Sequence, residues 1–560
     1  MVHLVITRKL KEAKQELRDA VVRDFSGGWN TLDDDLNLSS KFSRKLYNAG
    51  VFADGTVTVR GGTSLLADLN LFFSSPATII NVEYFSNAVV VVASNGDVLS
   101  VFADGTVDRI WDASIAAALP GAPAGWSATT FASFAEFNND LIICNGVDKP
   151  LIVNTLLEVD YLQDLATTTN INTPIAKYVV ACNRYLVMAG DPVNPYRIHI
   201  SARDSSGTWY GDPDPNDATF IDVGSILNGA SYIRGLGSFR GQLVIGFVEG
   251  TILGRLGDYV ADAHTPTFED PIEQYGAVSH RSMISYGDDM LLMDLVGVPS
   301  LKRTVFTGTL RPERVSDFID REMGQIIDGL EIETVEDRSF AVYCHHSGQF
   351  LFFIPNDDVL ADTTETKAFV YTFRPTLGIT SWSRYDGWNF TCGCETTSGR
   401  IVFGDKNGKL WLRGIPGDTY AADYLNDPSI EDGTGVAIDF DWELPWSDLN
   451  SRAKTKTSKY LLMDTRGTGV FNVSMYTDRY TQNSELADAP QLSMDFVGGD
   501  AGGFGNGGSP YAGGRNTAYE KLYAWTAKFI YAKFRIRGST KEPLKFVSIG
   551  LLYQRGSYAR

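Results

Sequence analysis

Cys344 and His346 stand two residues apart in a run that reads as a strand, and Cys392 and Cys394 do the same in another. Alternate residues of a strand share a face. Each pair therefore offers two ligands side by side, and two pairs on adjoining strands would supply the tetrahedral set that zinc prefers. The plainer reading is that small thiols fill a β-core and His346 sits at a hairpin mouth. Nothing in the spacing makes the two strands neighbours, so the plainer reading is preferred. "DPDPND" (Asp212 to Asp217) has the carboxylate density of a calcium loop but lacks the closing Glu of an EF-hand. Gly503, Gly505 and Gly508 satisfy G-x-G-x-x-G, yet no βαβ unit surrounds them, and the dinucleotide reading fails. No Walker motif, serine-nucleophile elbow or HExxH is present. These residues predict no catalytic, cofactor-binding or metal site, no cofactor, and a chain that is not an enzyme.

The elements that position these residues belong to a long chain. Its 560 residues are 44% hydrophobic and 12% aromatic, with 54 glycines, which suits turn-rich all-β structure with several cores. Five cysteines, odd in number and sparse, fit folding in a reducing compartment without a disulfide framework. The opening "MVHLVITRKLKEAKQELRDAVV" has no apolar core of signal-peptide length. No apolar run is long enough to span a bilayer, so stable membrane insertion is not expected. The net charge of −19 argues against a general attraction for DNA. From Lys521 to Arg560 there are nine Lys and Arg against one acid, Glu542, a local +8 that leaves −27 on the rest. Such a run reads first as a solvated strand face and second as a docking surface for an acidic partner.

"VFADGTV" occurs twice, at Val51 to Val57 and at Val101 to Val107. Each copy reads as a hairpin, because Asp-Gly suits a tight turn. From about Thr78 onward, short apolar runs alternate with turns such as Asn95-Gly96-Asp97, Asn145-Gly146, Arg240-Gly241 and Asn407-Gly408. Units of about forty to fifty residues with four strands each match propeller blades. The spacing predicts an all-β chain in four parts. These are an N-terminal helix over 1–20, an extended arm with a ring-closing strand over 21–65, a β-propeller of six or seven blades over 66–417, and a β-sandwich-like domain over 418–560. The first copy of the repeat, with Asp54 and Gly55 at its turn, is expected to close the ring against the last blade. In the last part, residues 498–514 hold nine glycines among seventeen, with Phe504 and Tyr511 as the only large apolar anchors. This stretch reads as a docking or gating loop, or as a plain surface excursion.

Two resemblances add to this. "ARDSSGTW" (Ala202 to Trp209) resembles the Asp-box of sialidase-type propellers at Asp204, Ser206, Thr208 and Trp209, departing at Ala202. That motif implies a structural hairpin, not catalysis. "FSGGWNTLDDDLNLSSKFSRKLYNAGVFADGTVTVRGG" resembles the opening of the tail nozzle proteins of short-tailed phages, the packaged-DNA stabilisation and tail tubular protein B type. The matching positions are Gly27, Gly28, Asn30, Asn48, Asp54, Gly55, Arg60 and Gly61, and the likeness extends in style to about residue 415. The resemblance implies a structural virion protein made in the host cytoplasm. It implies a homo-hexameric ring at the tail's distal end, meeting adaptor or portal proteins and tail fibres or tailspikes. Double-stranded DNA would pass through the ring without specific binding, first retained and then ejected. Two alternatives stay open: a carbohydrate-active or receptor-binding tail propeller, and a monomeric propeller scaffold for protein binding.

Overall fold

Asp104 Oδ1 accepts from Thr106 N at 2.9 Å, Gly105 takes φ +85°, and Phe102 N donates to Thr106 O at 2.9 Å. The first copy of the repeat folds in the same way. There Asp54 Oδ1 accepts from Thr56 N at 3.3 Å, Gly55 has φ +72°, and Phe52 N donates to Thr56 O at 3.3 Å. One phrase thus makes one turn, and glycine accepts the left-handed backbone that it needs. The computed structural model describes residues 17–558, apart from 53, 120–124, 163–172, 211–216, 228–231, 258–265, 270, 288, 303–313, 359–362, 415–421, 450–451, 453, 468, 479–491, 498–518 and 525–526.

Among the described residues, seven antiparallel blade sheets follow one another round an axis. Blade I holds Ile79–Phe85, Ala88–Ala93, Val98–Phe102 and Val107–Trp111. Blade II runs from Ser133–Phe137 to Val159–Tyr161, blade III from Tyr178–Cys182 to Thr219–Asp222, and blade IV from Gly235–Phe239 to Thr267–Phe268. Blade V is small, with Ile284–Tyr286 and Asp289–Leu291. Blade VI runs from Phe340–Cys344 to Ile379–Trp388. Blade VII comprises Phe390–Glu395, Ile401–Asp405 and Lys409–Arg413, with a fourth strand from far upstream, Thr63–Asp68. The protein is an all-β propeller.

Each blade is buried on both faces, which is why its middle strands are apolar throughout: Ala88–Ala93 and Tyr185–Ala189 have no exposed residue. Apolar clusters form between successive blades. Val90 and Val92 pack with Leu141 and Ile143 between I and II, and Ile142 with Leu186 and Trp209 between II and III. Ile198 packs with Leu243 between III and IV, and Val244 with Met290 between IV and V. Phe353 packs with Phe403 between VI and VII, and Val91 with Val402 between I and VII. The last contact closes the ring.

The closing strand differs from the expected one. Thr63–Asp68 pairs antiparallel with Lys409–Arg413 and completes blade VII. The Asp54-Gly55 hairpin instead joins the second β-region, where Val57 and Thr58 pair with Phe546 and Lys545. A hairpin has two strands to place, whereas the open edge of blade VII takes one. The single strand just downstream fills that edge, and the hairpin adds to a sheet that can accept both of its strands.

That second region is built from two sheets with a shared core. One continues blade VI outward from Ile379–Trp388 through Lys45–Tyr47, Ile438–Glu443, Ala532–Thr540 and Val470–Thr477 to Leu492–Val497. The other orders Tyr519–Ala524, Lys454–Gly467, Leu544–Tyr558, Val57–Val59 and Ala49–Val51. Phe440, Trp442 and Phe471 of the first sheet meet Phe546 of the second at ring-centroid distances of 5.4–5.7 Å. Val470–Thr477 alternates buried positions with exposed or partly buried ones, as a half-covered strand should. The expected sandwich-like packing is present, but strands of the arm lie inside both sheets.

The N-terminal helix is corrected in part. Leu17–Val22 is a strand, paired from Leu17 with Gln554 to Val22 with Ile549, and residues 1–16 lie outside the described residues. Ala20 O lies 2.2 Å from where a Cβ on Gly550 would stand, so the strand seats where its partner has no side chain. Pairing with a preformed sheet decides the conformation of Leu17–Val22 over any local preference for helix. Among the described residues, short helices interrupt the strands, including α1 (Ala113–Ala118), α2 (Asp320–Ile327) and α3 (Ile332–Arg338).

Candidate functional site

Helix α3 precedes blade VI and brings two acids to the propeller axis. Val335 packs into the core, and its neighbour Glu336 is buried with it. The Glu336 carboxylate accepts from Lys177 Nζ and Tyr178 OH of blade III and pairs with Arg234, which leads into blade IV. Asp337 accepts from Lys177 Nζ at 2.7 Å and from Thr130 Oγ1, ahead of blade II, at 3.0 Å. Ser279 Oγ, ahead of blade V, donates to Glu336 O at 2.8 Å. Arg281 completes the set. Its Nη1 donates to Ile80 O of blade I at 2.6 Å and to Thr391 O of blade VII at 3.3 Å, and its Nη2 to Asp337 O. The last turn of α3 and Arg281 thus tie six blades together, and blade VI follows directly in the chain.

The cluster is electrostatically costly and held by mutual neutralisation. Burial lowers the pKa of Lys177, against the pull of Asp337, and it also lowers that of Arg281. Burial raises the Tyr178 phenol. His280 sits against Tyr178 at 5.3 Å between ring centroids, and its Nδ1 accepts from Leu236 N at 3.2 Å. Burial, helped by the charge of Arg281, pushes the imidazole down to about 4, so it is neutral at pH 7. A buried carboxylate held by three donors from two other blades is an anchoring arrangement.

Beside this cluster a cavity of about 660 Å³ opens on one face of the propeller. Its walls come from loops between the second and third strands of blades II and III, including Val147 and Pro192, and from Phe131, Tyr178, Tyr232 and Ile233. Glu333, Glu336 and Asp337 line it from α3. A larger cavity of about 990 Å³ lies in the second β-region beside Leu17–Val22. The axial cavity is the stronger candidate because it gathers buried charge at a mostly apolar recess.

The residues singled out in the sequence fall elsewhere. Asp54 accepts from Thr56 Oγ1 at 2.6 Å and from Lys545 Nζ, remote from the axis. Phe504 and Tyr511, like Gly503, Gly505 and Gly508, lie outside the described residues. All five cysteines are buried and free. The inner strands bearing Cys344 and Cys392 are ring neighbours, yet Cys344 packs in the cluster between blades VI and VII while Cys392 and Cys394 face blade I. Burial pushes the Cys392 thiol up to about 11 and raises that of Cys394 as well. His346 is exposed at its hairpin. Among the described residues no group of three His, Cys, Asp or Glu is placed to hold a metal ion. In "ARDSSGTW", Ala202 N donates to Thr208 O at 2.9 Å, Arg184 Nε donates to Asp204 Oδ1 at 2.7 Å, and Trp209 is buried between blades II and III. That is a turn that pins a blade. Of the calcium-like run, Asp217 is described, and it accepts from Arg203 N and Tyr185 OH, each at 2.9 Å.

Sequence reasoning missed Lys177, Arg234, Arg281 and Glu336. A faint signal existed: charged residues stand just before or at the start of several inner strands, in "AKYVV", "YIRGLG" and "SHRSM".

No family model matches the chain, and no curated protein sequence matches it. Among solved structures it is similar to PorZ, an essential bacterial surface component of the type-IX secretion system of Porphyromonas gingivalis, at 12% identity and a TM-score of 0.36 over 66% of this chain and 44% of that one. The match thus spans less than half of PorZ. It is also similar to the WD40 β-propeller domain of Doa1, at 9% identity and TM-score 0.36 over 63% and 97% of the two chains. A third likeness is to YCF48, solved bound to D1 peptide, at 10% identity and TM-score 0.35 over 61% and 93%.

Proposed function

We propose that the chain is a structural subunit of a short-tailed phage tail, of the nozzle type. It would form a hexameric ring that extends the DNA channel, retains packaged DNA and lets it out. One observation carries this reading: Gly28, Asn48 and Arg60, three of the positions on which the resemblance to that family rests, lie at the joint between the propeller and the second β-region. Asn48 Oδ1 accepts from Arg60 Nε at 2.9 Å and from Asp386 N at 2.8 Å, while its Nδ2 donates to Asp439 O at 2.7 Å. Gly28 lies so close to blade VI that a Cβ there would stand 2.5 Å from Ser381 Cβ. A phrase that builds a joint suits a protein whose work is architecture. In this reading DNA runs down the axis of the ring of subunits, since the Glu336 cluster crosses each propeller's own axis. The net charge of −19 per subunit would let phosphate slide without adhering.

Negative-stain microscopy of the full chain, alone and mixed with neighbouring virion proteins, tests this. Six-fold rings that cap tails are expected. Single particles that never attach to a tail, or turnover of a glycan abolished by one substitution, would overturn it.

A further inference from the structure

We infer that the axial cavity is a docking pocket for a protein partner, and that the partner's inserting segment carries a Lys or Arg beside an apolar residue. Three observations meet here. The first is charge. Asp191, Glu333, Glu336 and Asp337 line the cavity, and Lys177 is the one basic residue among its described lining. Arg234 behind Glu336 and Arg281 behind Asp337 still leave the recess one negative charge in excess. Glu333 is exposed at the rim. The second is the wall, formed by Phe131, Tyr178, Tyr232, Pro192, Pro195 and Ile233, which suits the stem of a long cationic side chain and an aliphatic neighbour. Aromatic faces attract a cation, and Lys177 Nζ already lies 4.9 Å from the Phe131 ring centroid. The third is exposure. Val193 is 82% and Val147 52% exposed on the loops bordering the cavity, with Tyr196 nearby at 41%. Apolar residues grouped around an acidic recess mark an interaction surface rather than scattered surface hydrophobes.

The occupant is a protein segment rather than a nucleic acid, because an excess of carboxylate repels phosphate. The cavity's volume lies within the range that takes a few side chains. The inference is independent of the nozzle reading, since a pocket of this chemistry would serve a partner in any assembly.

The test is a random dodecapeptide library displayed on bacteria and selected against the full chain. Enriched peptides should carry Lys or Arg next to an aliphatic or aromatic residue. Their affinity should fall roughly tenfold or more on Glu333→Lys and on Val193→Asp. Both substitutions lie on exposed positions, so the melting temperature should stay unchanged and separate lost docking from lost folding. Enrichment of acidic peptides, no enrichment, or binding indifferent to both variants would overturn the assignment. If no peptide enriches and the chain self-associates in a way that Glu333→Lys abolishes, the occupant is a second copy, and the partner assignment fails.

Discussion

Arg60 and Asp423 are 363 residues apart in the chain and meet as a buried two-pronged pair, Nη1 to Oδ1 at 2.7 Å and Nη2 to Oδ2 at 2.5 Å. The guanidinium also lies 4.2 Å from the Trp388 ring centroid, and Trp388 Nε1 donates to the same Asp423 Oδ1 at 3.0 Å. Arm, blade VI and the segment after blade VII are thereby locked at one point. Removing one partner leaves a buried charge uncompensated, which costs about 3–5 kcal/mol. Arg60→Met and Asp423→Asn should each lose stability of that order in urea unfolding. The double variant Arg60→Met/Asp423→Leu should recover part of it. Equal losses in single and double variants would mean that packing, not charge, holds the joint.

Gly62 sits two residues further on, where the closing strand begins. A Cβ there would stand 1.9 Å from Ala422 O, a contact only backbone movement can relieve. Thr63 N donates to that same carbonyl at 3.0 Å. Gly62→Ala should therefore loosen the closure of blade VII at a cost of about 1–3 kcal/mol. Hydrogen exchange should show faster opening of Thr63–Asp68 and Lys409–Arg413 before other blades respond. Uniform change across all blades would deny the closing strand its local role.

The blade pattern was legible because it rests on local chemistry: Asp-Gly and Asn-Gly turns, and strands apolar on both faces. Which strand closes the ring was not legible. Val57–Val59 and Thr63–Asp68 are both short and partly apolar, and only the partner edges distinguish them. Leu17–Val22 misled for a related reason, since its pairing strand lies more than five hundred residues downstream. The axial site was the least legible. Glu336 sits in "EIETVEDRS", where a buried acid and a solvated one look alike, and its partners come from three other blades. Asn48 and Arg60 appeared only as positions of a resemblance, and their contact with each other required the fold.

Glu83 offers a pH test on the inner strand of blade I. Burial, with a smaller push from Glu136, raises its carboxyl from an ordinary 4.5 to about 7. The folded state then holds a proton that the unfolded state has released between those values. Stability is fullest below pH 4.5, falls as pH rises to 7, and is level above, with a slope of up to about 1.4 kcal/mol per unit. His280 acts in the opposite sense: its value near 4 removes stability as pH falls from 6.5. Glu83→Gln removes the first effect alone. The variant should melt higher than the parent at pH 8 and alike at pH 4.5. A constant difference across that range would remove Glu83 from the profile.

The Glu336 cluster predicts an order of effects rather than one number. The Glu336 side chain is 3% exposed, that of Arg234 4%, and that of Lys177 24%. Loss of Glu336 leaves Arg234 buried without its carboxylate and beside Lys177, which keeps Asp337. Loss of Arg234 leaves Glu336 with Lys177 and Tyr178, and loss of Lys177 leaves it with Arg234 while relieving a lysine whose own charge burial disfavours. Glu336→Gln should therefore destabilise most, in the range of about 3–5 kcal/mol, followed by Arg234→Met and then Lys177→Met. The exposed pair Arg184 and Asp204 serves as the reference, with side chains 57% and 42% exposed. Arg184→Ala should change stability by no more than about 1 kcal/mol, and added salt should screen that small term. The losses at the axis should persist in high salt, because water and ions reach the cluster poorly. Thermal melts of the four variants at low and high ionic strength decide the matter. A cluster whose losses vanish with salt would be a surface network, and the blades would then be held by their apolar interfaces alone.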